Sequence, residues 1–537
     1  MNTPDKSSIL ERSPALRCFR SLFTRRVLRR ELIVLAWFVT LLALFHGEET
    51  WRGRRAWNQY RRGLEAQGGQ LDFAAVVPKP VPDEQNFAAT PFIKSWFEKG
   101  IDLDQKWNDS YARVAGRVSA PRKKGARAER RFEDLAAWET AFATLRSGEL
   151  TRNDEFYSTN LDAVARAKAA PAVLEGLRTN EALFAELRAA SQRPYSRYPV
   201  NYDVEPPAIL LPHFRMMKGV SERLRLKACA ELAGGQSDQA LEDVKLMFRL
   251  ADSVKEEPFL ISHLVRLACA QIAVQPIWEG LAEHRWSEAQ LQVLETRLQQ
   301  YSFIADLKTP LAGEQAAGIA TIELVRKNGL GYLGALMSSS EAPLTGEASK
   351  LGNFLGFVLI PQGWYDQEEL NYCRGFQVQL ATVVDTTKKR VSPAQVKADA
   401  QAFEQMWCAS GFAGTKWGRI LYHRVMVQVM LPTLGRVVMK PAAAQTAFNQ
   451  AAVACALERY RLAKGWFPGA LETLVPQFIS PLPNDVLTGE PYKYRVTDDG
   501  RFVLYSVGWD EKDDGGVPGK KLFDEKQGDW VWEYPAK

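Results

Sequence analysis

An uninterrupted apolar run, Leu32 to Phe45 (LIVLAWFVTLLALF), constrains this chain more than any other stretch. A helix needs roughly 20 apolar residues to cross a bilayer, and this run has 14. His46, Gly47 and the aliphatic stems of Arg29 and Arg30 extend its reach. Arg12, Arg17, Arg20, Arg25, Arg26, Arg29 and Arg30 precede it; the flank after it is also basic (Arg52, Arg54, Arg55, Arg61, Arg62) but carries Glu48 and Glu49. That asymmetry predicts an N-terminus in the cytoplasm and the rest of the chain outside. A cleaved signal peptide, a twin-arginine signal at Thr24–Arg29 and a buried core helix are the competing readings. No small-x-small cleavage site follows Phe45, and an uncleaved anchor over residues 32–47, behind a basic tail at 1–31, is the reading adopted.

Residues 48–90 read as a juxtamembrane helix followed by the Pro-rich spacer Val76–Pro82. Trp51 and Trp57, with their neighbouring arginines, suit an interfacial belt; a plain continuation of the anchor helix explains them equally well. The motifs WRGRRAWNQYRR and PVPDEQNFAATPF look like those of a family of membrane-anchored proteins from Verrucomicrobia and Planctomycetes, a likeness that brings no activity with it.

Residues 91–440 predict a multi-helix body. Helical periodicity covers Phe132–Ala190 with breaks at Gly148, Pro171 and Asn180. Val220–Leu232 and Gln239–Val254 form a hairpin around Gly234-Gly235 that resembles a tetratricopeptide-type unit, without a repeating period. Ser287 and Gln290 have capping-box spacing. The loop Pro194–Pro212 carries Tyr195, Tyr198 and Tyr202, and either covers helix ends or borders a site. Asp366, Glu368 and Glu369 read as first-turn acids of a helix over Asp366–Leu380, with an acid/base pair as the alternative.

Motifs that name a reaction are missing. The five histidines are dispersed, and H-E-x-x-H, G-x-S-x-G and P-loop spacings do not occur. The six cysteines show no C-x-x-C. A net charge of +6, with much of the excess before residue 63, argues for membrane topology and against nucleic acid.

In the last stretch, 441–537, Lys464-Gly465 ends a helix ahead of Pro468, and a short helical turn carries Leu471 and Leu474. Tyr492–Val496 and Phe502–Val507 read as strands joined by Asp498-Asp499-Gly500, and Trp530–Trp532 as a last strand. The order Tyr460, Gly465-x-Phe467-Pro468, Leu482-Pro483-x-Asp485, Gly489-x-Pro491-Tyr492-x-Tyr494, Ser506-x-Gly508-x-Asp510 and Gly528-x-Trp530 resembles the soluble head of the major pseudopilin of type II secretion systems. The resemblance implies a small α+β domain with an antiparallel sheet. It also implies calcium in the acidic loop, where Asp510 matches the family's first acidic position and Asp513 and Asp514 are further ligands. This loop is shorter than the family's, and Lys512 sits within it. The upstream helix lacks the long apolar stretch by which pseudopilins polymerise.

The whole therefore reads as mainly α: an anchored envelope protein with an interaction or assembly role linked to secretion or surface biogenesis. Its partners would be membrane lipid and other envelope proteins. A hydrolase with a site beside the Tyr195–Tyr202 loop, and a peptide-binding helical hairpin, are the alternatives.

Overall fold

The computed structural model describes residues 25–98, 109–119, 129–158, 161–329, 332, 360–380, 384–385, 389–407, 418, 423–431 and 437–533. Most of the basic tail, most of the Gly/Ser-rich stretch 329–363, most of the charge run at 121–131, Gly411, Gly414, Cys18 and Cys408 lie outside them.

The protein is mainly helical, with a small antiparallel sheet near the C-terminus. The longer helices are α1 (Arg25–Ala66), α2 (Leu135–Ser147), α3 (Ala163–Leu177), α4 (Glu181–Ser191), α5 (His213–Ala233), α6 (Ser237–Asp252), α7 (Leu260–Ala282), α8 (Glu288–Gln299), α9 (Lys308–Asn328), α10 (Gln362–Leu380), α11 (Pro393–Trp407) and α12 (Met439–Lys464). The sheet is β1 (Lys493–Val496), β2 (Phe502–Ser506) and β3 (Trp530–Trp532), in the order β1-β2-β3. Its register sets Tyr494 against Leu504 and Ser506 against Trp530. Among the described residues two compact units emerge: those within 1–68, 322–372 and 416–426 form the first, and the remaining described residues the second.

In the first unit, α1 is one continuous helix of 42 residues, so the arginine-rich segment after Phe45 simply prolongs the apolar segment. Trp57 is buried and stacks on Tyr60, which removes it from any surface belt; Trp51 stays exposed. Leu32 through Phe45 present Ile33, Val34, Trp37, Phe38 and Leu44 to the exterior. Further on, α1 crosses α10 at Gly53 and Gly363. A Cβ on Gly53 would lie 2.1 Å from the Gly363 carbonyl oxygen, and one on Gly363 2.2 Å from that of Glu49. Only the absence of side chains lets these two backbones approach so closely.

The second unit has a core shared by helices and sheet. α5, α6 and α7 pack on one another, and α7 and α8 pack on α12. α12 is dense in small residues, among them Ala444, Ala447, Ala451, Ala454 and Ala456, all buried, and this allows neighbours close on nearly every side. Leu504 and Trp532 from the sheet join Phe448, Leu457 and Phe467 in the same apolar cluster. Gln450 donates to the Trp530 carbonyl at 2.6 Å, and the Trp278 indole to that of Glu533 at 2.6 Å, so the last strand is tied to α12 and α7.

Local signals in the sequence act as chemistry predicts. Gly465 takes φ 89°, the left-handed conformation that ends α12. Ser287 and Gln290 make both bonds of the capping box. Pro171 is an exception, since it lies inside α3 rather than breaking it. Among the described residues, the helix long and apolar enough by length and composition to cross a membrane is α7, and 61% of that apolar window is buried.

Candidate functional site

Three acidic side chains of the first unit gather around Arg326 of α9. The Arg326 guanidinium donates to Asp366 at 2.8 Å and to Glu369 at 3.3 Å, and forms an ion pair with Glu323 at 3.1 Å. One cation thus serves three carboxylates. Asp366 and Glu369 are buried, and Asp366 Oδ2, Glu369 Oε2 and Arg326 Nε have no hydrogen-bond partner among the described residues. Burial, reinforced by a bond shared with Glu323, pushes the Glu369 carboxyl up to about 9, so it holds a proton at neutral pH.

Glu368 faces elsewhere. Its two oxygens accept the backbone N–H groups of Val425 and Met426 at 2.9 and 3.0 Å, capping the short helix Val425–Met430. Burial raises its carboxyl to about 7, against the opposing pull of those two bonds. Beside it lies an apolar cavity of about 40 Å3, lined by Val325, Ile360, Trp364, Tyr365, His423 and Met426 among others. His423 adopts φ 52° and meets the Trp364 ring at a tilt of 56°, with ring centroids 5.0 Å apart. Burial lowers its imidazole to about 4, so it is neutral, and its Nδ1 has no partner among the described residues. Trp364 in turn donates to Glu49 of α1 at 3.0 Å.

Chemically, the segment holds a protonated Glu369 carboxyl in the Arg326 cluster and, on another face, a Glu368 carboxyl beside a cavity that a neutral imidazole also lines. A water fits in roughly 10–15 Å3 of such space, so the cavity takes one or a few waters and no organic substrate. The first-turn explanation of these acids fails: α10 begins at Gln362 and its first turn holds no acidic residue. Asp366, Glu369, Cys373 and Phe376 instead mark a helical stripe, and all four are buried. A charge at two positions of an otherwise apolar stripe was the available signal. Arg326 and His423 carried none, because both reach the site from distant segments.

The acidic C-terminal loop is organised from within. Asp513 Oδ1 accepts from the Tyr505 hydroxyl and the Gly515 N–H, both at 3.0 Å. Asp510 Oδ1 accepts from the Lys512 N–H at 3.4 Å. Asp514 contributes its backbone N–H to Asp529, whose buried carboxylate also receives the Gly516 N–H at 2.6 Å. Asp529 is the residue that sequence reading missed here. Among the described residues, no three His, Cys, Asp or Glu side chains form a group able to hold a metal ion.

The tyrosine loop is likewise built into the body. Tyr195 exchanges backbone bonds with Gln85 and Phe87, at 3.1 and 2.8 Å. Tyr198 is buried, bonded to Ser253 at 2.8 Å and stacked on His213. His213 Nε2 lies 3.0 Å from Glu257. Tyr202 stacks on Phe259.

Comparison with protein-family models, with curated proteins and with solved structures finds no match to this chain.

Proposed function

We infer that this protein is a non-catalytic, single-pass component of the cell envelope. In this reading α1 holds it in the cytoplasmic membrane, its N-terminus lies in the cytoplasm, and it acts through contacts with other envelope proteins in secretion or surface biogenesis. The observation that carries the reading is the exposed apolar half of α1, where Val34, Trp37 and Leu44 are each about two-thirds exposed. A contiguous apolar surface of that kind marks a membrane or partner contact. The hydroxyl of Thr40, in the middle of the run, donates to the Ala36 carbonyl of its own helix at 2.7 Å. Hydrocarbon demands such internal satisfaction. The arginines ahead of the run supply the orientation. Expression of the full chain with a C-terminal tag tests this reading. It should sediment with membranes, resist alkaline extraction and be cut by protease added outside spheroplasts. Recovery in the soluble fraction ends the reading.

One observation favours an enzyme instead: Glu368, with a near-neutral carboxyl, borders a cavity together with His423. The cavity's size and the commitment of both Glu368 oxygens to capping weigh against it. Calcium at Asp510, Asp513 and Asp514 rests on the pseudopilin resemblance. A calcium-dependent rise in melting temperature, lost in Asp510→Ala, would establish it.

A further inference from the structure

Just past the apolar half of α1, the helix borders a groove of about 640 Å3, lined by His46, Thr50, Trp51, Arg54, Arg55 and Asn58 among others. The spacing of these residues, repeating every three or four positions, places them along one face. Two neighbouring cations of this helix are neutralised locally: Arg52 pairs with Glu49 at 2.7 Å and Arg61 with Glu65 at 3.7 Å. Arg54 and Arg55 are exposed and have no carboxylate in ion-pair range among the described residues. The Arg55 guanidinium lies over the exposed Trp51 ring, 5.3 Å from its centre. His46 Nε2 is shielded from solvent and has no hydrogen-bond partner among the described residues.

We propose that this groove binds the phosphate of an anionic phospholipid headgroup. The inference rests on the anchoring role of α1. Arg54 and Arg55 supply the charge and the fork of N–H donors that phosphate oxygens match. Thr50 and Asn58 add neutral donors, and Trp51 places an amphipathic ring at the boundary between acyl chains and headgroups. Position selects a lipid over free phosphate. Arg54 lies nine residues beyond Phe45, a rise of about 13 Å. Helical side chains lean toward the N-terminus, so both guanidinium groups reach back toward the apolar run. An anion held there has an acyl tail alongside the exposed leucines.

Native mass spectrometry of the full chain in detergent tests this, with added phosphatidylglycerol or phosphatidylcholine. The wild type should hold one phosphatidylglycerol in clear preference to phosphatidylcholine. Arg54→Gln/Arg55→Gln should weaken that binding about thirtyfold, the combined effect of two cations near an anionic surface. Arg61→Gln/Arg62→Gln, the same charge change outside the groove, should leave it intact, and excess inorganic phosphate should not compete. Equal weakening in both variants, equal binding of phosphatidylcholine, or full competition by phosphate overturns the site. The two readings fail separately. A soluble wild-type chain ends the anchor, whereas a membrane-bound chain without the lipid preference ends only the groove.

Discussion

α1 and α7 both carry apolar stretches, yet their surroundings are opposite. Along α7, Leu267, Ala270, Val274 and Ile277 are buried on every side, and its polar residues find partners on other elements. Arg266 reaches Asp252 and Asp306, Ser262 reaches Glu257, and Glu279 pairs with Arg166 of α3. In α1 the apolar residues face outward, and Thr40 bonds only within its own helix. By length and composition alone, α7 is long and apolar enough to cross a bilayer. Where its polar atoms find their partners marks α7 instead as a core helix. A helix whose polar groups need tertiary partners belongs to a core, and the internal bond of Thr40 accords with the anchoring role proposed for α1.

The sharpest way to break this comparison is to place a carboxylate in each helix. Ile277→Asp buries an unpaired charge and should cost about 5 kcal/mol or more, leaving no folded second unit by circular dichroism. Leu35→Asp should leave the melting of that unit unchanged and move the chain out of the membrane fraction. A soluble, folded Ile277→Asp would show that α7 is not a core helix.

A smaller contrast comes from the acidic residues on the two helices. Glu279→Ala leaves Arg166 buried with Glu283 as its remaining carboxylate, and should destabilise by about 3–5 kcal/mol in denaturant titrations. Glu49→Ala removes the acceptor of the Trp364 indole and should cost about 1–3 kcal/mol, confined to the first unit. Equal losses would mean that the two helices are embedded alike.

A further contrast is one of pH. Glu369 is raised to about 9 from an unfolded value of 4.5, and Glu368 to about 7. The folded first unit therefore binds more protons than the unfolded chain in this range. Its stability is full below about 4.5 and declines as pH rises toward 9. Hydrogen exchange over residues 362–372, corrected for intrinsic rates, should quicken between pH 5.5 and pH 8.5. Glu369→Gln, which cannot ionise, should reduce that response across the whole window and flatten it above about pH 7, where Glu368 no longer contributes. A response unaltered by the substitution would assign the titration to another group.

Much of the helical architecture was legible because its signals are local. Ser287 and Gln290 lie three residues apart and fold their capping box whatever surrounds them. Gly465 and Gly500 took the positive φ that their turns need, and the strands ran within a residue or two of their expected limits. The carboxyl cluster was less legible. Asp366, Glu368 and Glu369 are visible in the sequence, but whether they cap a helix or lie buried depends on where α10 starts and on what packs over it. Arg326 and His423 are brought to them by chain segments far away in sequence. The acidic loop is a similar case, since its organiser, Asp529, follows it by more than ten residues.

By itself the sequence determined the helices, their caps and turns, the three-stranded sheet and an arginine-flanked apolar run. Each depends on backbone preference and side-chain periodicity over a few residues. Only the tertiary structure decided which apolar helix is enclosed and which lies open, and which carboxyls keep their protons. Those outcomes depend on solvent exclusion by distant segments, and no short stretch of chain encodes it.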